Sequence, residues 1–475
     1  MVAPPEPSRA TADIRRNFAK VDRPCFVAAV SAAGRIDPET EPTAGGEERG
    51  AMPGTAADDQ GEARTPSGDR RGRRGITDQA MDPWLFFATL ALSCLGLVMV
   101  YSSSGWFASG ISGSWEFFLR RQATFFCLGL GSMLAISRVD YRILRRFSSH
   151  LLALAVALLV LVLFISDDIN GARRWIDLGP IHMQPSEIAK IALAAFLAAT
   201  LAQRGEQIRK FKTGFLPPML AAGGTMLLVL MEKDLGTTVL LGTLSLILLY
   251  VAGTRSSWVL AAIMIVAPLA WSQIVNVGYR RERVESFLSG DDYQVEQGLI
   301  AIGSGGPFGL GLGNGRQKLG FLPENHTDFI LATIGEELGL LGILLVIGLY
   351  ALLVWRGLVI ARQAQDRFGT YLAIGLSALF GLQALINMAV VLSVMPAKGI
   401  TLPFVSYGGS SLLVSMASIG VLLSISRRPE PWAISDMRGR SDRKLLGARL
   451  RERLRRPAHV EEAVRGPRHR VNVRR

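Results

Sequence analysis

Long uninterrupted apolar runs constrain this chain more than any other feature. The stretches "WLFFATLALSCLGLVMVYSSS" and "LLALAVALLVLVLFI" approach the ~20 residues that a helix needs to cross ~30 Å of hydrocarbon. The chain has 475 residues, of which 49% are hydrophobic, and its mean hydropathy is positive, +0.30. These runs predict an integral membrane protein.

Counting the apolar runs predicts an all-α bundle of about ten transmembrane helices. The loops after spans two, four, six and eight are short and rich in Lys and Arg, and short basic loops stay in the cytoplasm. An even number of spans then places both termini on the cytoplasmic side. The predicted spans are 84–104, 121–137, 148–165, 186–203, 215–231, 235–253, 258–275, 329–355, 368–395 and 408–426.

Three further segments have distinct compositions. Residues 276–328, between spans seven and eight, are charged and rich in glycine, and predict a large extracytoplasmic loop within a membrane domain of residues 81–428. Residues 1–80 predict a disordered cytoplasmic extension. Residues 429–475 predict a basic cytoplasmic tail, which holds most of the net charge of +13. The charge therefore adjoins the membrane and does not indicate nucleic-acid binding.

The glycine-rich stretch "GSGGPFGLGLGNG" within 276–328 resembles a phosphate-binding loop only superficially. It follows no strand and lacks the lysine of a P-loop. Glycine instead favours a re-entrant or closely packed backbone at this point.

Ionisable residues cluster at the predicted outer side of the bundle. Each costs roughly 2.5–3.5 kcal/mol inside a membrane, so each needs a structural or functional reason. They come from loops that are distant in sequence. The residues are Arg173, Arg174, Glu187, Lys190, Glu232, Lys233, Asp234, Glu324, Asp328, Glu336, Glu337 and Lys398.

Most of these positions also have a purely structural interpretation. Glu187 and Lys190 have the i, i+3 spacing of a helix-surface pair. Residues 232–234 can form a turn between two spans, and Glu324 after Pro323 can be an acid in the first turn of a helix. Both interpretations remain open from the sequence.

Two neighbouring motifs are open in the same way. His326 is expected to be polar surface and not a metal ligand. Ser410, in "SYGGSS", can contact a lipid or can simply allow close helix packing. Glu336 and Glu337 lie about 100° apart on a helix, so they face different partners; Glu337 is predicted to pair inside the bundle and Glu336 to line a cavity.

The balance of charges favours one kind of chemistry. Displacing a pyrophosphate from a sugar needs one carboxylate base to accept the proton of the attacking hydroxyl. The leaving group is a stable anion, so it needs cations and no acid. Glycoside hydrolysis, by contrast, needs two carboxyl groups at a set separation. An enzyme acting on an anionic lipid and a transporter of such a lipid both fit this pattern.

Six segments, in this order, resemble the signature motifs of the SEDS family (shape, elongation, division and sporulation proteins). They are "NGARRWI", "QPSEIAKI", "EKDLGTT", "LPENHTDFI", "GEELGLLG" and "LPFVSYGGSS". The glycine in "IGEELGLLG" and the lysine in "PAKGITLPF" resemble the cell-division type of the family more than its rod-shape type. The resemblance covers residues 81–428.

The resemblance implies a peptidoglycan glycosyltransferase in the bacterial cytoplasmic membrane that polymerises lipid II during septal wall synthesis, with a class B penicillin-binding protein as partner. Asp328, the acid of "HTDF", is the implied catalytic carboxylate. The remaining predicted substrate-binding residues are Arg173, Arg174, Glu187, Lys190, Lys233, Asp234, Glu324, Lys398 and Ser410.

Three alternatives remain open from the sequence: a lipid II flippase, a rod-shape elongation polymerase, and a structural scaffold of the division machinery. Mg²⁺ is compatible with pyrophosphate chemistry, but the sequence contains no recognisable set of metal ligands.

Overall fold

The computed structural model describes residues 81–112, 116–166, 174–177 and 182–427. The predicted tails at 1–80 and 429–475 lie outside the described residues, as does Arg173.

The described chain is almost entirely helical. Residues Ile176–Asp177 (β1) and His182–Met183 (β2) form a short antiparallel pair, with Ile176 opposite Met183. The helices are α1 Pro83–Ser112, α2 Phe117–Arg138, α3 Arg142–Ile165, α4 Pro185–Arg204, α5 Leu216–Met231, α6 Leu235–Val251, α7 Ser256–Val275, α8 Gly278–Ser289, α9 Tyr293–Gly305, α10 Ile330–Gln363, α11 Arg367–Val391 and α12 Gly409–Ser426.

Each of the ten predicted spans coincides with one of these helices. Within the described ranges, eight helices are long and apolar enough to cross a membrane. The other two are α2, which has charged residues in its first turn, and α6, which has only 17 residues. The all-α membrane architecture is confirmed, and the count of ten spans is approximate.

The first and last helices meet at one end of the bundle. The Asp82 N–H donates to Ser426 Oγ at 3.2 Å, just before α1 and at the end of α12. Arg356, near the end of α10, donates from Nε to Asp82 Oδ2 at 3.0 Å. This contact is compatible with an even number of spans, which places both ends on one side of the membrane.

Helix α4 is the most deeply buried of the candidate spans in the described ranges. It packs against α3, α6 and α11. Alanine dominates its buried surface, and small side chains allow helix backbones in a membrane to approach closely. The buried alanines are Ala189, Ala192, Ala194, Ala195, Ala198 and Ala199.

The predicted external loop 276–328 contains two helices, α8 and α9, so it is more ordered than an irregular loop. Its glycine-rich stretch lies against an interruption of α10 at Gly339, which has a φ of 67°. The Leu340 N–H donates to Gly306 O at 2.9 Å, and the Leu310 N–H donates to Glu336 O at 3.0 Å. The loop thus satisfies backbone groups that the interruption leaves without helical partners, and the predicted close packing of the glycines is confirmed.

The two acids of "GEELG" bind this same loop. Glu336 accepts from the Arg316 N–H at 2.6 Å. Glu337 accepts from Lys318 Nζ and from Ser102 Oγ, each at 2.7 Å, and is fully buried. Glu337 therefore pairs inside the bundle, as predicted, whereas Glu336 holds the loop backbone and does not line an open cavity.

This packing predicts that Gly309→Ala destabilises the protein. Gly309 has a φ of +81°, and an added Cβ would collide with the Glu337 carbonyl oxygen. A left-handed conformation and backbone overlap together cost about 2 kcal/mol or more, so the melting temperature of the purified protein in detergent should fall.

Gly303→Ala is the matched control, because a Cβ there meets nothing within 4 Å and alanine favours a helix. Equal melting temperatures for the Gly309→Ala protein and wild type would show that the loop does not depend on this close approach.

Candidate active site

The segment 321–329 presents Asp328 at the start of α10. Glu324 has a φ of 52°, a left-handed conformation that turns the chain sharply. Its carbonyl oxygen accepts from the N–H groups of Thr327 and Phe329, each at 3.2 Å. The turn therefore fixes the backbone on both sides of Asp328, whose side chain is half-buried.

Asn387 near the end of α11 fixes this turn to a second non-helical segment. Its Nδ2 donates to Asp328 O and to Ile400 O, both at 2.8 Å. Ser406 adds a second link, since its Oγ donates to Thr327 O at 2.6 Å. The segment 397–407 and the segment 321–329 therefore form one hydrogen-bonded unit.

The carboxylate of Asp328 faces the 397–400 segment. A Cβ at Gly399 would lie 3.3 Å from Asp328 Oδ2, so the backbone passes close to the carboxylate. Burial is the largest of the causes that raise the pKa of Asp328 to about 7, and the negative charges of Glu324 and Asp234 add to the increase. The positive charges of Arg283 and Arg174 oppose it. Asp328 therefore has a carboxyl group with a pKa near neutrality, on which the charges of two guanidinium groups act.

Arg283, on α8, is a site residue that the sequence analysis did not single out. Its Nη1 donates to Ala397 O at 3.3 Å, which joins α8 to the segment facing Asp328. Arg283 lies in "YRRERVESF", among other charged residues of the external segment. Composition there did not distinguish it from its neighbours, because only the fold brings it to Asp328.

Arg174 and the turn 232–234 form the opposite side of the site. Arg174 Nη2 donates to Lys233 O at 2.7 Å, and Lys233 has a φ of 64°. Asp234 caps α6, because its Oδ1 accepts from the Thr237 N–H at 3.0 Å. Residues 232–234 therefore do form the turn between two spans, and that turn brings Asp234 and Arg174 to Asp328.

The turn also packs directly against the segment that faces Asp328. A Cβ on Gly236, in the first turn of α6, would lie 2.8 Å from Ile400 Cγ1. The absence of a side chain at Gly236 allows this approach, which positions Asp234 relative to Asp328.

Glu232 has no hydrogen-bonding partner for its carboxyl group. The residue is fully buried, and both carboxyl oxygens lack a partner among the described residues. Burial is the main cause that raises the pKa of Glu232 to about 8; the charge of Asp234 adds to it and that of Arg174 opposes it. At neutral pH this carboxyl is therefore protonated, and it contributes no negative charge to the site.

Glu187 and Lys190 form a buried ion pair, 2.9 Å apart, at the start of α4. Lys190 also donates to Gln383 Oε1 at 3.2 Å, and Ser411 Oγ donates to Glu187 Oε2 at 3.2 Å. Gln383 Nε2 in turn donates to a carbonyl of the 397–407 segment, that of Thr401, at 3.2 Å. The pair is thus part of a buried network that joins α4, α11 and α12 to the site segment. Its i, i+3 pairing is confirmed, but its expected place on the helix surface is wrong, because both side chains are buried.

Lys398 stands within the site segment, between Ala397 and Gly399. It is half-buried, and burial lowers the pKa of its ammonium group. In the ranges that the structure describes, its ammonium group makes no hydrogen bond or ion pair. Its charge is therefore available to an anion.

Two other predicted residues, Ser410 and His326, are packed against neighbouring side chains. Ser410 is buried at the start of α12, next to Gly409, where a Cβ would collide with the Phe125 ring. His326 lies against the rings of Phe118 and Tyr407, and burial lowers the pKa of its imidazole. These contacts support a packing role for both positions. The expectation that His326 is polar surface is therefore wrong, because its ring is packed against two aromatic rings.

The structure brings Asp328, Glu324, Asp234 and Arg174 together and adds Arg283. The ion pair of α4 adjoins this cluster from inside the bundle. Within the described ranges, no three His, Cys, Asp or Glu side chains are arranged to hold a metal ion.

Fold and site together define a class of protein: a multi-span membrane protein with a carboxyl group of near-neutral pKa, under the influence of two arginines, next to the start of one span. Residues 83–430 match the family model described as cell cycle protein, which spans FtsW, RodA and SpoVE. The chain therefore belongs to the SEDS family, as its motifs predict.

Sequence relatives agree with this assignment. The probable peptidoglycan glycosyltransferase FtsW of Geobacter sulfurreducens (strain DL-1 / KN400) is 41% identical over 352 residues, covering 72% of this chain and 94% of the relative. The stage V sporulation protein E of Bacillus subtilis (strain 168) is 40% identical over 355 residues, covering 73% and 97%. The FtsW names agree with the predicted cell-division type.

Solved structures share the fold. One chain of a peptidoglycan synthase complex that coordinates polymerization and crosslinking has a TM-score of 0.62 and 29% identity, covering 73% of this chain and 98% of that chain. The rod shape determining protein RodA of Thermus thermophilus has a TM-score of 0.57 and 28% identity, covering 74% and 98%.

The burial of Glu232 predicts a pH-dependent effect of Glu232→Gln. Between the ordinary pKa of 4.5 and the folded value of about 8, the unfolded chain loses this proton while the folded protein keeps it. Wild-type stability therefore falls as pH rises through this window, and the glutamine variant lacks that loss. The variant should melt at increasingly higher temperature than wild type from pH 5 to pH 8.

Glu285→Gln is the control, because Glu285 is exposed and pairs with Arg281 on the surface of α8. A difference between the Glu232→Gln protein and wild type that stays constant across pH would contradict a protonated Glu232.

Proposed function

We propose that this chain is a peptidoglycan glycosyltransferase that polymerises lipid II at the outer face of the bacterial cytoplasmic membrane during septal wall synthesis. One observation carries the proposal: the Asp328 carboxyl group faces Gly399 and has a pKa of about 7, on which the charges of Arg283 and Arg174 act. The names of the FtsW relatives support it. Asp328 is proposed as the catalytic base.

The proposed reaction is an inverting displacement at a sugar. Asp328 accepts the proton of the acceptor hydroxyl while the hydroxyl oxygen attacks the anomeric carbon of the donor muramyl residue. A carbon–oxygen bond to the acceptor forms, the bond to the pyrophosphate breaks, and undecaprenyl pyrophosphate leaves with the bonding electrons. A pKa near the working pH suits a general base, since it combines ionisation with basicity.

The cations of the site are proposed to hold the leaving pyrophosphate. Charge develops on the departing oxygen in the transition state, and positioned guanidinium and ammonium groups stabilise it. Arg174 and Arg283 are the cations whose charges act on Asp328, and Lys398 belongs to the segment that faces it. Lys233 and Arg173 remain predicted contributors.

The Glu187–Lys190 pair and Asp234 are proposed to position these groups. The ion pair is buried and has further hydrogen bonds to Gln383 and Ser411, so removing one partner would leave an unpaired charge in the bundle. Asp234 is engaged as the cap of α6. These residues are proposed to hold the backbone segments that carry the site.

We also propose a class B penicillin-binding protein as the partner, and cytoplasmic termini. The partner is supported by the structural neighbour, which belongs to a complex that coordinates polymerization and crosslinking. The orientation is supported by the basic loops. It puts Asp328 on the outer side, where the glycan strand is needed.

Asp328→Asn tests the proposal. The asparagine keeps the shape of the side chain but cannot accept a proton, so glycan chains made from labelled lipid II should fall by about 10²-fold or more. The measurement is gel separation of polymer made by purified protein with its partner.

Asp291→Asn, an exposed acid of the same external segment, is the matched control and should polymerise at the wild-type rate. Polymer from a folded Asp328→Asn protein at that rate would remove Asp328 from catalysis. Movement of lipid II across vesicles without any polymer would support a flippase instead.

The pH dependence of the reaction gives a second test. A base with a pKa of about 7 is active when deprotonated, so kcat/KM should rise with pH through about 7. Glu324→Gln removes a negative charge that raises this pKa, so the midpoint should move to lower pH. Arg283→Gln removes a positive charge that lowers it, so the midpoint should move to higher pH.

Because Glu324 is exposed, the midpoint of the Glu324→Gln protein should move by only a fraction of a pH unit. Glu285→Gln on α8 should leave the midpoint unchanged. Shifts of the Glu324→Gln and Arg283→Gln proteins in the same direction would contradict an Asp328 base placed between these charges.

A further inference from the structure

A second group of charges lies at the opposite end of the bundle from Asp328. Asp366, just before α11, belongs to this group, whereas Asn387 of the same helix holds the backbone of Asp328. The 21 residues between them span about 30 Å along a helix. The two sites are therefore separate.

This group lines a cavity of about 620 Å³, which we call the arginine cavity. It is formed by the first turns of α3, the last turns of α4 and the residue that precedes α11. Its lining residues are Arg142, Arg145, Arg146, Ser148, Ser149, Ala199, Thr200, Gln203 and Asp366.

The arginines share one face of α3, because the spacings i, i+3 and i+4 bring side chains together. Arg142 is already engaged, since its Nη2 donates to Gln365 Oε1 at 2.6 Å. Arg145 and Arg146 are exposed, and their guanidinium groups make no hydrogen bond or ion pair within the described part of the chain. Two guanidinium groups are thus available to a ligand.

The single acid of the cavity is satisfied by the protein. Asp366 Oδ1 accepts from Tyr141 Oη at 2.8 Å and from the Gly369 N–H at 3.0 Å. Three arginines against one aspartate leave the lining positively charged, and the N-terminal end of α3 adds to the positive potential. The remaining lining offers the hydroxyls of Ser149 and Thr200 and the amide of Gln203. This combination suits a phosphate group.

An apolar surface begins beside the arginines on the same helix. Ile143, Phe147 and Leu154 are each more than half exposed, at 51%, 52% and 54%. At 100° per residue they lie together on the face next to that of the arginines. A ligand with a phosphate group and acyl chains would satisfy both faces at once.

We propose that the arginine cavity binds the phosphate group of an anionic phospholipid, with the acyl chains against the exposed face of α3. Basic pockets between membrane helices on the cytoplasmic side bind such headgroups. Free phosphate and a phospholipid headgroup would both contact Arg145 and Arg146 through phosphate oxygens. The apolar face of α3 favours the lipid as the source. The arginine cavity is separate from the Asp328 site, so lipid binding there does not require that the chain be a polymerase.

Native mass spectrometry of the full-length protein in detergent tests this. Wild type titrated with dioleoylphosphatidylglycerol should retain one lipid tightly, and the double variant Arg145→Gln/Arg146→Gln should bind it at least 10-fold more weakly. Arg146→Gln alone should give an intermediate loss. Dioleoylphosphatidylcholine, whose headgroup is zwitterionic, should bind more weakly than phosphatidylglycerol to wild type.

The matched control is Arg209→Gln/Lys212→Gln. It removes the same two charges from the exposed loop that follows α4, outside the cavity, and should retain the lipid as wild type does. Equal losses in the two double variants would overturn the proposal, because they would indicate unspecific attraction to the basic surface. Retention by the arginine double variant at the wild-type level would also overturn it.

Inorganic phosphate separates the two sources of the ligand. If the lipid occupies the cavity, millimolar phosphate should fail to displace it from wild type. Arginine-dependent binding of phosphate without retention of phosphatidylglycerol would overturn the lipid assignment. Equal melting temperatures of the variants and wild type check that each protein is folded.

Discussion

The amide of Asn387 holds together two stretches of chain that have no regular secondary structure. Its Nδ2 bonds the carbonyls of Asp328 and Ile400, and both lie where non-helical backbone meets the bundle. Backbone groups at such depth must find partners inside the protein. Asn387, near the end of α11, therefore fixes Asp328 relative to the segment that faces it, together with the Ser406 hydroxyl.

The same constraint explains the rest of the site. Arg174 donates to carbonyl oxygens of the turn 232–234, and Arg283 donates to Ala397 O. Each arginine thus stabilises irregular backbone and at the same time brings positive charge to Asp328. The same guanidinium groups bind the backbone and act on the charge of Asp328. Substitution of either arginine should therefore change both the stability of the segment and the pKa of Asp328.

Much of the fold was predictable because hydrophobic length is a local property. Each apolar run became a helix, and Gly305, Gly309 and Gly315 packed closely, as their lack of side chains allows. The helices within 276–328 were harder to predict, because both are short, α8 is highly charged, and α9 has only a brief apolar stretch. The sequence also left α2 and α6 indistinguishable from longer or more apolar spans.

The site was predictable only in part. Asp328, Asp234 and Arg174 stand in motifs whose composition draws attention. Arg283 does not, since it is one of several arginines in α8 and its proximity to Asp328 exists only after folding. The protonation of Glu232 was equally hidden, because nothing in "MEKDLG" shows that its carboxyl is enclosed without a partner.

The meeting of α1 and α12 has a consequence for how the chain can be handled. The Asp82 N–H and the Ser426 hydroxyl are hydrogen-bonded, so the chain enters and leaves the bundle at one corner. A short linker could join the two ends without crossing the membrane. The distance between spectroscopic probes attached at these two positions would be short in the closed bundle. An increase in that distance would show that α1 and α12 separate.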